Sequence, residues 1–360
     1  MSRRRRGNRE RAPERTESSR LRRPKGTLVG FPGLLAAALL ACGVLARADQ
    51  VYISYANTAN TIEEFTSTGV SGTNTDDGPF AATDVSTPNG IAFDSQGNLY
   101  VANSTAGTIS EFAASGTYIG VFASGLSSPA GLVFDQFGNL YVANNGDGTI
   151  TEITPSGSPS QYASGLNGPN GLAFGPNGNL YVADGSDDSI MEITSNGPVI
   201  FASANQIGNG PAGVGFTALN QPKGLAFDAS GNLYVSNFEA DNIEEFAPDG
   251  TPTTFATNTG DVSDPDNQEG LWNPFGVAFD SSGDLFVANY GHTGEEGAGY
   301  SYIDEFSATG TMLDAFTDAN DPPDLRDASY IAIVVPEPSS VGLTMLGAVS
   351  IAGVAWRRRR

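Results

Sequence analysis

The residues best suited to chemistry in this 360-residue chain are carboxylates gathered in short stretches. Asp261, Asp264, Asp266 and Glu269 form one group, and Asp318, Asp321, Asp324 and Asp327 a second, with the pair Glu295-Glu296 between them. Hard cations such as Ca2+ take six to eight oxygen ligands, so these stretches can supply a calcium site; they can equally be solvated acidic loops. Their spacing matches no EF-hand loop, and Asn145-Gly146-Asp147-Gly148 is only a fragment of one. Zinc is not expected, because His292 is the only histidine and Cys42 the only cysteine. Trp272, Tyr290, His292, Tyr300 and Tyr302 lie among or beside the same stretches, where aromatic rings can stack on a sugar or plug a loop. A Ser-His-Asp arrangement would have to use His292, which sits in a Gly-rich segment with nothing nearby to orient it. Paired carboxylates for glycoside hydrolysis can be drawn anywhere on so acidic a chain, so that signal is empty.

The elements that must position these residues come from a sentence written five times. It reads PNGIAFDSQGNLYVAN from Pro88, PAGLVFDQFGNLYVAN from Pro129, PNGLAFGPNGNLYVAD from Pro169, PKGLAFDASGNLYVSN from Pro222 and PFGVAFDSSGDLFVAN from Pro274. Successive starts are 41, 40, 53 and 52 residues apart, a period of propeller blades rather than helical repeats. Within a unit, Gly131–Phe134, Asn139–Ala143, Thr149–Ile153 and the segment around Tyr162 read as four strands. The runs are short, β-branched or aromatic, and bounded by Gly, Pro, Asn and Ser. One four-stranded antiparallel sheet of about 40 residues cannot bury both faces alone, so neighbours must stack around an axis.

The chain ends set the number of blades. Tyr330–Val334 reads as a lone first strand, while Val51–Ser54, Thr61–Phe65 and Pro79–Ala82 read as strands two, three and four. Together they make a sixth blade, closed by pairing the C-terminal strand with the N-terminal ones, which removes two exposed sheet edges. The expectation is an all-β, six-bladed β-propeller over residues 49–335, flanked by an N-terminal and a C-terminal hydrophobic helix. The pieces Pro-x-Gly-Leu-Ala-Phe-Asp, Gly-Asn-Leu-Tyr-Val-Ala-Asn and a following Ile-x-Glu-Phe resemble the NHL family of six-bladed propellers, over roughly Gln50 to Val335. The resemblance implies the architecture but no single function, because such propellers host enzymes, binders and scaffolds.

In such a propeller the connections from strand two to three, and from strand four to the next blade, emerge on one face. The insertions that lengthen the period fall there: Ser203–Gln221, Thr257–Asn273, Tyr290–Tyr302 and Thr317–Asp327. Repeat proteins commonly bind on the side that carries their insertions; neutral, tolerated loops are the alternative. Asn103, Asn144, Asp184, Asn237 and Asn289 end strand two of each unit and should ring one mouth of the channel. They can hold a cation or a sugar, or cap turns through their side chains. Some propellers similar to this one are gluconolactonase-like hydrolases, which implies one metal held in the channel by Glu, Asn and Asp. Here the inner strands read as nearly uniform, and no Glu breaks the pattern in strands one or two.

The two ends read as addresses. Residues 1–48 form a secretory signal with a long basic lead, an apolar run from Leu28 to Ala46, and a small-x-small cleavage site at Ala46 and Ala48. Arg22-Arg23 is a poor twin-arginine motif and Leu39–Cys42 an imperfect lipoprotein box. Cleavage after Ala48 leaves no cysteine, hence no disulfide. Residues 336–360 resemble the PEP-CTERM sorting signal: Pro336-Glu337-Pro338, an apolar stretch from Val341 to Trp356, and Arg357 to Arg360. That resemblance implies an exosortase-type processing enzyme as partner and delivery to the envelope or extracellular matrix of a Gram-negative bacterium. It also implies a transient inner-membrane anchor with the arginines inside; an ordinary C-terminal anchor is the other reading.

Charge excludes one class of partner. The 18 basic residues leave only Lys223 and Arg326 in residues 49–335, against 36 of the 40 acids, a net of −34 for the folded part. Nucleic acid needs cationic partners, so it is not a ligand, and anionic lipid is approached only through the terminal segments. The charge fits salt adaptation, divalent-cation binding, or both. The reading that emerges is an exported, non-catalytic module binding polysaccharide or envelope protein, with Ca2+ as the one candidate cofactor. A metal-dependent lactonase and a purely structural matrix protein are the alternatives.

Overall fold

The computed structural model describes residues 49–56, 60–67, 75–81, 83–204, 219–258, 270–291, 302–316 and 328–334. The repeated sentence builds each blade from the inside outwards. The Pro-x-Gly run becomes the innermost strand (Pro129–Phe134 in blade two), and the Leu-Tyr-Val-Ala-Asn run becomes strand two (Leu140–Asn144). Thr149–Ile153 and Pro159–Ser164 follow outwards in antiparallel order. Leu140, Tyr141 and Val142 are all buried, so both faces of strand two are covered although their side chains alternate. The Asp-x-x-Gly-Asn turn joins strands one and two. Asp135 Oδ1 accepts from the N–H groups of Phe137 and Asn139 at 2.8 and 2.9 Å, and Gly138 takes φ +83°. Such a φ is open to glycine without steric cost.

The blades touch backbone to backbone near the axis. A Cβ on Gly131 would stand 2.2 Å from the carbonyl oxygen of Asn170 on the next blade, which explains the glycine in Pro-x-Gly. Each innermost strand packs against the next around a complete ring, including the last against the first. Farther out, the strand-two tyrosine seals the seam. Tyr100 meets Phe122 of its own blade at 4.9 Å and Phe134 of the next at 5.0 Å, both edge-on. Its hydroxyl donates to Glu111 at 2.8 Å.

Closure is as the chain ends predict. Ala328–Val334 is the innermost strand of a four-stranded sheet completed by Asp49–Tyr55, Thr61–Ser67 and Thr75–Ala81. Ile53 pairs with Ile331, Tyr52 with Ala332 and Gln50 with Val334. The protein is therefore a six-bladed propeller of four-stranded antiparallel blades. The two flanking hydrophobic helices expected from sequence, Ala46, Ala48 and Pro336-Glu337-Pro338 lie outside the described residues. Among the described residues no helix is long and apolar enough to cross a membrane.

Candidate functional site at the insertion face

The start of each innermost strand pairs with the end of strand two, as Pro88 does with Asn103. Both therefore sit at the face where the insertions emerge. The five strand-two termini are 0–2% exposed. Asn103 Oδ1 accepts from the Ser86 N–H at 2.8 Å, and its amide donates to Ser110 Oγ at 2.8 Å. Asn144 donates to Thr149 and Thr151, Asn237 to Asn242, and Asn289 to Asp304. Asp184 Oδ1 accepts from the Asn167 N–H at 2.7 Å. Burial pushes the Asp184 carboxyl up to about 6, with a further push from the nearby charge of Asp187.

Blades four to six differ from blades one to three at this level. On strand three, the residue opposite the central Val or Ile of strand two is Ser110, Thr151 or Met191 in blades one to three. In blades four, five and six it is Glu244, Asp304 and Glu63, which are 0%, 0% and 7% exposed. Glu244 accepts from Asn242 and from Thr254, each at 2.9 Å. In blade one the same position, Ser110, donates to the carbonyl of Asp84 on the segment entering the blade. The segments entering blades four, five and six are the lengthened ones. The sequence signal for these acids lies in strand three, whereas strands one and two are nearly uniform from blade to blade.

The inner strands also break their pattern here. The x of Pro-x-Gly is Asn89, Ala130, Asn170, Lys223 and Phe275 in blades one to five. Lys223 Nζ lies 5.6 Å from the ring centres of both Phe238 and Phe275. Phe275 stacks on Tyr290 (6.1 Å) and meets Tyr330 edge-on (5.2 Å), while Phe238 meets Tyr290 at 5.7 Å. One arc thus spans blades four to six. Burial pushes the Lys223 ammonium below its usual range, opposed by the charge of Glu239. Asn89 Oδ1 and the Tyr330 hydroxyl are buried at the same end of the inner strands with no hydrogen-bond partner among the described residues. Burial raises the Tyr330 phenol as well. Two serines stitch the seams beside this arc. Ser236 accepts from Gly224 N–H and donates to Phe275 C=O, and Ser54 accepts from Tyr330 N–H and donates to Asn89 C=O.

Of the aromatic candidates, the structure brings Tyr290 into this arc. Trp272 is half-buried, its backbone N–H donating to Asn289 Oδ1 at 3.1 Å. Tyr302 lies inside blade five at 4% exposure, and its hydroxyl donates to the Gly270 carbonyl at 2.6 Å. His292, Tyr300, Asp261, Asp264, Asp266, Glu269, Asp318, Asp321 and Asp324 lie outside the described residues. A separate groove of about 380 Å3 at the rim of blades two and three is lined by Gln161, Tyr162, Thr194 and Pro198. It holds no charged side chain. Lys223 escaped the sequence reading because the x position varies freely; its rings arrive from a later loop and the next blade.

Three family descriptions match parts of the chain. Residues 143–257 match the SMP-30/Gluconolactonase/LRE-like region, residues 80–109 a beta-propeller repeat, and residues 334–360 the PEP-CTERM protein-sorting motif. The chain is a six-bladed propeller bearing a PEP-CTERM sorting signal. This propeller is thus exported, and its motif marks it as a substrate for exosortase processing. A search of curated proteins found none that matches it. Among solved structures it is similar to a nidogen/laminin complex chain, at 20% identity and TM-score 0.60, over 79% of this chain and 98% of that one. A protein of unknown function from Bacteroides caccae matches at 15% identity and TM-score 0.57, over 80% and 100%. A gluconolactonase from Xanthomonas campestris matches at 19% identity and TM-score 0.50, over 68% and 78%. At these identities the likeness is one of fold.

Proposed function

We propose that this exported propeller is a non-catalytic binding module for polysaccharide or envelope protein, engaging its partner over the insertion face of blades four to six. On this reading it is held briefly at the inner membrane by its C-terminal segment and then released to the cell surface. The observation that carries the proposal is the asymmetry: the insertions, the buried acids Glu63, Glu244 and Asp304, and the arc from Lys223 to Tyr330 all fall on three consecutive blades. A propeller serving only as a scaffold has no need to concentrate its exceptions at one end of half its ring. A glycan array probed with the full chain tests this. Retained ligands, weakened at least tenfold by Phe238→Ala with Tyr290→Ala, are expected; binding that ignores both changes contradicts it.

The match to the SMP-30/Gluconolactonase/LRE-like region supports a second reading, a lactone hydrolase. A divalent ion in the channel needs several oxygen ligands. The described inner-strand starts offer Asn89 and Asn170 but also Lys223, whose ammonium repels such an ion. The described residues therefore do not fit that metal. Metal-dependent turnover of a lactone would overturn the binding reading.

A further inference from the structure

Lys223 makes no ion pair among the described residues, although the charge of Glu239 acts on it. It is the one lysine or arginine among the described residues of a −34 domain, yet among those residues no carboxylate or other acceptor lies within hydrogen-bonding reach of its amine. Its contacts are two aromatic faces, and the nearest acid named by its electrostatics, Glu239, accepts instead from Gln221 Nε2 at 3.4 Å. A half-buried ammonium held this way is costly unless something completes its coordination. Evolution of a surface so acidic could have paired it easily, and blade two shows that alanine fits the same position.

We propose that Lys223 is the anchor for a single carboxylate carried on a sugar, a uronic-acid residue, seated at the channel mouth against the outer faces of Phe238 and Tyr290. This deepens the binding reading and rests on it. The charge of the site selects an anion, because the ammonium repels cations. The charge of the whole domain selects an isolated carboxylate, because a densely charged polyanion meets 36 acids on approach. The rings select the rest of the ligand: Phe238 and Tyr290 are half-buried and meet edge-on, leaving apolar surface for the C–H face of a pyranose.

Only Lys25 and Lys223 are lysines in the full sequence, which gives a specific probe. Reductive methylation of the full chain with 13C-formaldehyde keeps the charge and labels these two amines and the N-terminus. Titration with D-glucuronate should move the Lys223 signal saturably in the millimolar range and leave Lys25 unmoved. D-Glucose should leave both unmoved, and acetate should shift Lys223 at least tenfold more weakly than glucuronate. Lys223→Met should lose at least tenfold in glucuronate affinity by calorimetry without lowering the melting temperature. A merely structural lysine would lower it. No Lys223 response to glucuronate, an equal response to acetate, or unchanged affinity in Lys223→Met overturns the proposal. If a neutral glycan still binds in a Phe238- and Tyr290-dependent way, the binding face stands and only the carboxylate falls.

Discussion

At the residue scale, Asp184 shows how one blade departs from its siblings at a cost. The other four full blades place asparagine there, and its amide donates to a hydroxyl, amide or carboxylate oxygen on strand three. In blade three a carboxylate is buried, so its proton is held to about pH 6 rather than to the ordinary value near 4. A raised carboxyl pKa means that the folded state binds the proton more tightly than the unfolded chain. Stability from this group is therefore full below about pH 4 and is lost as pH rises through 6. Asp184→Asn should stabilise the domain by about 1–2 kcal/mol at pH 7, since two pK units are worth ~2.7 kcal/mol at most. Ser189, opposite in register, is placed to accept the new amide as Thr108 does for Asn103. Urea melts at pH 7 and pH 3.5 check this; the gain should vanish at the lower pH, and an equal gain at both contradicts it. Asp184 was legible in sequence as the odd member of its ring. Its raised pKa was not, because that depends on burial by neighbouring loops.

At the scale of the element, the innermost strand carries two constraints that pull apart. Its glycine must stay bare: at Gly131 a methyl would meet the Asn170 carbonyl at 2.2 Å, and backbone packed on both sides cannot retreat. Overpacking of this kind costs ~1–3 kcal/mol, so Gly131→Ala should lower stability by about that amount or more in a thermal melt. Gly178→Ala is the control: it strains a turn glycine at φ +80° but meets no atom within 4 Å. Equal effects would contradict the seam argument. The neighbouring x position accepts Asn, Ala, Lys and Phe, so the seam does not fix its side chain as it fixes the glycine. The strands and their closure were legible because every unit repeats the same alternation between turn residues, and because the two partial units complete each other. The strand-three acids were legible only by comparing register: Glu244 reads as ordinary in Asn-Ile-Glu-Glu-Phe until its place opposite Val235 buries it.

At the scale of the whole molecule, a −34 domain carries a C-terminal sorting signal, and on the proposed binding reading it acts through one face. On the opposite face, blades one, two, four and five carry closely similar Asp-x-x-Gly turns, each closed on itself by its aspartate. The insertion face has three unlike blades in succession. Hydrogen exchange of the full chain with and without its strongest array ligand tests this division most directly. Protection should concentrate in residues 219–241, 270–291 and 328–334. Protection confined to the turns at 94–98, 135–139, 228–232 and 280–284, or none anywhere, would contradict it.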